Sequence, residues 1–235
     1  MLGRMLAAPA VLLCLAVPPA RAQDLADLCR RAMHPPVGAW SQFSNEGGRM
    51  PGSSMRIAVV GQETRGGTAY LWMEFAIHGM SMGRGEGGGD TVSMINRMLV
   101  RGFGPGMAAP VATIMKFGSA PAMEMPVNGP GMQAPSSNSL KDCTTSKVVG
   151  WESVTVPAGT FRALHVQDAD GTSDTWVAPD LPFGMVKTLT PDSGQLVLVA
   201  HGMGAKSEIT ETPRPYDQAV FMQLMQQMMM RQRSH

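Results

Sequence analysis

Charge is scarce in this chain. Only 16% of its 235 residues are Asp, Glu, Lys or Arg, and 19 basic against 18 acidic side chains leave a formal net charge of +1. A near-neutral chain has no electrostatic footprint for nucleic acid or an anionic lipid surface, so neither is an expected partner. Cysteine is scarcer still, with three residues and no C-x-x-C pair. That pattern offers neither a thioredoxin-like redox centre nor the usual zinc spacings. G-x-S-x-G, H-E-x-x-H and a dinucleotide-binding glycine turn are missing as well, so no catalytic motif supports an enzyme. Gly83 to Gly89 lacks the Gly-Lys pair that a phosphate-binding loop runs into its helix, and reads as a flexible loop. Asp168 to Asp174 resembles a calcium loop at its start, but Pro179 stands where the twelfth-position carboxylate belongs. A hairpin turn is the expectation there.

Long apolar runs are absent too. Met5 to Val17 is the longest, and it falls short of the roughly 20 helical residues needed to cross a bilayer. Arg4 before it and Ala20-Arg21-Ala22 after it complete the pattern of a cleaved signal peptide over residues 1–22. Cys14 follows Leu13 rather than a small residue, so it belongs to the discarded segment rather than to a lipid anchor. Cleavage between Ala22 and Gln23 leaves residues 23–235 as one β-rich domain, periplasmic or secreted, with no transmembrane segment. Loss of Arg4 and Arg21, with no acid lost, shifts the formal net charge from +1 to −1. Cys29 and Cys143 then remain in an oxidising compartment, where a structural disulfide between them is the expected state.

What is present reads mainly as strands. Leu25, Leu28 and Cys29 share one face of a short helix over 25–33 that Pro35-Pro36 ends. Segments 38–46, 55–63 and 67–78 are rich in Trp, Phe, Ile, Val and Tyr, and Gly-Gly and Pro-Gly clusters separate them, as in an antiparallel meander. Tyr70 to Ile77 is apolar on both faces, which marks a central strand. Asp90 to Arg101 carries Met94, Ile95, Met98 and Leu99 at helical spacing, and a helix is expected there. Residues 102–140 form an irregular Gly/Pro/Met-rich excursion with one short strand at 111–117. Further on, 147–156 alternates, Pro157-Ala158-Gly159 turns, and 161–167 returns as its partner. Strands at 175–177, 185–190 and 195–201 follow, and a closing helix covers 216–233. Eight to ten antiparallel strands with a few helices make a strongly curved sheet or half-barrel.

The segments Gly150-Trp151-Glu152-Ser153-Val154-Thr155-Val156-Pro157-Ala158-Gly159-Thr160-Phe161, Thr175-Trp176-Val177-Ala178-Pro179, Leu181-Pro182-Phe183-Gly184-Met185-Val186-Lys187 and His201-Gly202-Met203-Gly204 resemble bacterial periplasmic proteins similar in fold to the lipoprotein carriers of the LolA and LolB type. The resemblance covers residues 145–210 and rests on turn and core residues. It implies a curved antiparallel sheet around an apolar cavity closed by helices.

Methionine is unusually frequent, with 22 in the chain, of which only Met1 and Met5 leave with the signal. Two readings stay open. The first is a non-catalytic exported protein, without a cofactor, that holds an apolar, lipid-like small molecule or docks an envelope protein, its methionines serving as adaptable fillers. Under that reading Met222, Met225 and Met229 are the buried face of the last helix. The second is a periplasmic Cu(I)-binding protein, since thioethers are soft ligands. His78-Gly79-Met80-Ser81-Met82 and His201-Gly202-Met203 each set an imidazole beside a thioether, so His78, Met80, Met82, His201 and Met203 are the candidate ligands. His165, between Leu164 and Val166 on a strand, reads as a hydrogen-bonded structural histidine.

Overall fold

The computed structural model describes residues 22–32, 34–48, 50–81, 91–102, 109–127, 146–191 and 194–233. Helix α1 (Ala22–Ala32) opens the described chain. Strands β1 (Trp40–Glu46), β2 (Ser54–Arg65), β3 (Thr68–Ser81), β4 (Thr91–Val100), β5 (Ala112–Phe117) and β6 (Met123–Met125) follow. Then come β7 (Lys147–Val156), β8 (Gly159–Gln167), β9 (Asp174–Val177), β10 (Met185–Thr190), β11 (Gly194–Gly202) and helix α2 (Gln218–Arg233). All eleven strands join one open sheet in the order β6-β5-β4-β3-β2-β1-β11-β10-β9-β8-β7. Every neighbouring pair is antiparallel. The fold is mainly β, as the strand pattern implies. No helix among the described residues is long and apolar enough to cross a membrane.

The sheet curls at its β7 end, where the N–H of Ala158, in the Pro157-Ala158 turn of the β7–β8 hairpin, donates to Leu198 O on β11 at 3.3 Å. Inside the curl, side chains from both ends of the sheet meet: Phe43, Val59, Met73 and Met98 from β1–β4 with Ala163, Val186 and Leu198 from β8–β11. Phe43, Met73 and Leu198 expose no surface at all. Each fully buried side chain of that size contributes roughly 1.5–3 kcal/mol of transfer free energy. Helix α1 packs Leu25, Leu28 and Cys29, spaced i, i+3, i+4, against Leu164, Val166 and Val177 of β8 and β9.

Two sequence expectations are corrected. The segment 90–101 is not a helix but strand β4, paired with β3 and β5. Met98 and Leu99 are both buried although they point to opposite faces, because β4 is covered on both sides. A strand apolar on both faces offers i, i+1, i+4 and i+5 positions as readily as a helix does, and its β-branched Thr91, Val92, Ile95 and Val100 favour the extended state. The excursion at 102–140 is also less irregular than expected. Besides β5 it contributes β6, a three-residue edge strand, while 103–108 and 128–140 lie outside the described residues. The Asp168 loop is the expected hairpin turn. Asp168 Oδ1 accepts the N–H groups of Thr172 and Ser173 at 2.8 and 3.0 Å, so its lone pairs serve the turn.

After β11 the chain turns back over the face of the sheet opposite the Phe43 core and crosses six strands in order. Ala205 N–H donates to Gly38 O just before β1, and Arg56 Nη2 of β2 donates to Lys206 O. Glu208 N–H meets Glu74 of β3, Arg97 of β4 reaches Ser207 Oγ, and Lys116 of β5 pairs with Glu211 at 2.7 Å. Finally Arg214 bonds both ways with β6, accepting from Glu124 N–H and donating to Ala122 O. This strap, residues 203–214, covers the backbone groups of the β6 edge that would otherwise invite pairing with another chain.

The strap makes stability pH-dependent through Glu211, whose carboxyl is held down to about 2 by the Lys116 ammonium first and by the Ala122 N–H as well. A carboxyl depressed by folding stabilises the native state fully above its ordinary value of 4.5, and that contribution fades as pH falls towards about 2. Glu211→Gln is therefore expected to flatten the loss of urea stability across that window. An unchanged slope would remove Glu211 from the account.

Candidate functional site

Beneath the strap lies a charged cluster that begins with one misplaced acid. Glu74 sits mid-strand in β3 and has no exposed surface. A carboxylate removed from water costs several kcal/mol unless donors surround it. Here the donors are the Ser207 hydroxyl on Oε2, the Glu208 N–H on Oε1 at 2.9 Å, and the Arg56 guanidinium at 3.5 Å. Arg56 also reaches Glu208 at 3.3 Å, and His78 Nε2 lies 3.0 Å from the same Glu208 carboxylate. The strap thus supplies two of the groups that make a buried charge tolerable on β3.

Beside this cluster, Arg97 pairs across the β3–β4 ladder with Glu74. Its Nη1 donates to Ser207 Oγ at 2.9 Å and Ile209 O at 3.3 Å, and its guanidinium lies 5.4 Å from the centre of the Trp72 ring. The Trp72 indole N–H is tied to Glu63 at 3.1 Å. Between Val60, Trp72, Arg97 and Ser207 is a partly open cavity of about 200 Å³. Its walls are an indole and an isopropyl group, and its polar edge is one permanently charged guanidinium beside a hydroxyl.

The candidate copper ligands among the described residues do not gather here. His78 is on β3, with Nδ1 3.0 Å from Ser93 Oγ and Nε2 on Glu208. His201 is on β11, two strands removed from β3 across β1 and β2, and rests edge-on against Phe161 at 5.9 Å. Ser41 pairs with both Ile57 and His201, and Ile57 pairs with Phe75. His201 therefore shares the core face with Phe75, while His78, three residues on, faces the strap. Met80 pairs with Val92 just past the β3–β4 register shift, Met203 is 59% exposed beyond β11, and Met82 lies outside the described residues. The glycines of the two His-Gly-Met triplets have separate structural reasons. Gly79 adopts φ +72° where the β3–β4 register shifts, and a Cβ on Gly202 would come within 3.1 Å of the Trp40 indole. Among the described residues, no group of three or more His, Cys, Asp or Glu side chains is arranged to hold a metal ion. Cys29 is fully buried and disulfide-bonded; Cys143 lies outside the described residues.

His165 has more company than its sequence neighbours suggest. Nε2 lies 2.7 Å from Asp174 and Nδ1 3.0 Å from Glu152, and the ring stacks on Trp176 at 4.5 Å. Both acids come from adjacent strands, so only the register brings them to His165. The last helix departs from expectation in the other direction. Asp217 caps α2, accepting from the N–H groups of Ala219 and Val220. Yet Val220, Met222 and Met230 are 50%, 53% and 64% exposed, so Met222 is not on a buried face.

No family model matches the chain, and no curated protein matches it. One solved structure, described as "a putative lipoprotein from Parabacteroides distasonis ATCC 8503", is 12% identical over 73% of this chain and 98% of its own, with a TM-score of 0.34. At that TM-score the likeness carries no argument, and the functional reading rests on the chain's own geometry.

Proposed function

We propose that this chain is an exported, non-catalytic binding protein that holds an apolar small molecule against the strap-covered face of its curved sheet, the inside of the curl being filled by the Phe43 core. The observation that supports it is the cavity under the strap, walled by Val60 and Trp72. A site with apolar walls and one polar edge suits a small ligand with an apolar body. Export rests on the signal-type residues 1–22, and a mature chain from an envelope fraction that begins at Gln23 is the expected outcome of N-terminal sequencing. Docking of an envelope protein is a second reading, favoured by the exposed Val220, Met222 and Met230 of α2. Copper binding through both histidines would need separate sites, since His78 and His201 lie on different faces of the sheet.

The test is a two-dimensional amide and indole NMR titration with hexan-1-ol, a neutral apolar probe. Saturable shifts are expected at the Trp72 indole N–H, and Val60→Phe, which fills the cavity from the opposite wall, is expected to weaken them at least tenfold. Shifts that never saturate, or that Val60→Phe leaves intact, would remove the cavity as the binding site.

A further inference from the structure

The described methionines divide sharply by exposure. Met73 and Met98 are buried in the Phe43 core, while Met222 and Met230 of α2 keep more than half of their surface in water. Five of the 16 residues of α2 are methionine. None of its described side chains is buried, and none joins the hydrophobic cores that hold the sheet and α1 together. A helix in a folded protein draws most of its stability from packing, and one that stands alone is marginal at about 15 residues. What supports α2 is therefore local. Asp217 caps it, the Phe221 ring leans on Tyr216 at 6.0 Å, and apolar residues pair one turn apart along it: Val220 with Leu224, Phe221 with Met225, Met222 with Met225. Two of those three pairs depend on a thioether.

We propose that α2 is an oxidation-sensitive element whose methionines, Met222, Met225 and Met230, take up oxygen from a hydroperoxide and thereby melt the helix. The sulfur lone pair attacks the peroxide, the O–O bond breaks as an S–O bond forms, and the remaining oxygen leaves as water or an alcohol. Sulfur is oxidised by two electrons and the peroxide is reduced by two. The resulting sulfoxide is polar where the thioether was apolar, so the pairs along α2 lose their contact. Cys29 does not compete for the oxidant, because it is disulfide-bonded. Met73 and Met98 are shielded by the core, and α2 gives no side chain to that core, so the change stays within the helix. This assignment does not depend on the cavity under the strap.

The experiment treats the mature chain with hydrogen peroxide, following each methionine by peptide mass spectrometry, α2 by its backbone NMR shifts and the sheet by its thermal midpoint. Met222 and Met230 are expected to gain oxygen at least tenfold faster than Met73 and Met98. The α2 shifts should move to random-coil values in step with that gain, while the thermal midpoint moves by less than about 2 °C. Replacing Met222, Met225 and Met230 together by leucine keeps volume and helix propensity and removes the reactive sulfurs. In that variant α2 is expected to stay helical under peroxide even as the exposed Met203 oxidises, which ties the melting to α2's own methionines. Core methionines that oxidise as fast as Met222 would overturn the proposal. So would an α2 that keeps its helical shifts once oxidised, or a leucine variant that melts as the wild type does.

Discussion

Replacing Glu74 with leucine is expected to cost about 3 kcal/mol, even though it puts an apolar side chain at a position with no exposed surface. The reason lies in what the carboxylate accepts. Without it, the Glu208 N–H loses its acceptor under the strap and the Ser207 hydroxyl keeps only Ile209 O at 3.2 Å, and an unsatisfied donor of this kind costs about 1–3 kcal/mol. Arg56 loses one of two carboxylates, but its side chain keeps 16% exposure and retains Glu208, so its share is the smaller one. Glu74→Gln keeps the shape and one oxygen acceptor, and its expected cost is about half. With a urea dependence of about 2 kcal/mol per molar, the leucine variant should unfold roughly 1.5 M earlier than the wild type. A shift below about 0.5 M would mean that the strap does not depend on Glu74.

Losing the Cys29 disulfide is expected to be costlier still. Cys29 is fully buried between α1 and strands β8 and β9, and of the other two cysteines only Cys143 would remain if residues 1–22 are cleaved as proposed. A bridge between Cys29 and Cys143 would close a loop on the order of 100 residues, which stabilises by about 4–5 kcal/mol in the chain-entropy account. Cys29→Ala deletes little volume, so nearly all of its effect should come through the bridge. A fall of roughly 10–15 °C in Tm is expected for a domain of this size. Reductant should destabilise the wild type by the same amount and leave Cys29→Ala unchanged. Two titratable thiols in denatured, unreduced mature protein would rule the bridge out.

The sequence made the hairpins legible and the site illegible, for physical reasons. Pro157-Ala158-Gly159, the Asp168 turn and the alternation of 185–190 are local signals, and the observed β7–β8, β8–β9 and β10–β11 pairings follow them. Strand β4 mimics a helix in sequence because apolar residues occupy both of its faces, so they do not alternate with polar ones. The charged cluster assembles Arg56, Glu74, Arg97, Ser207 and Glu208 from three strands and a strap, with partners up to 152 residues apart. One signal was available. A lone glutamate inside the otherwise apolar Tyr70 to Ile77 has to find donors somewhere, and that demand marks the spot without naming the partners. The strap itself read as a break in the strand pattern, because Thr212 to Pro215 carries no period at all.

The order of strands in the sheet also has a kinetic consequence. Strands β1 to β6 are consecutive neighbours, and so are β7 to β11, so each half can zip from local hairpins within microseconds of collapse. The halves share a single backbone ladder, β1 with β11, between segments about as distant as the chain allows. Closing that loop is the entropic bottleneck, and it sets the refolding rate. Once β11 docks, the strap is carried directly over the first half and fastens the late-arriving end to β2 through β6. Substitutions in the strap contacts are thus expected to speed unfolding and leave refolding almost unchanged, because the clasp closes after the barrier has been crossed.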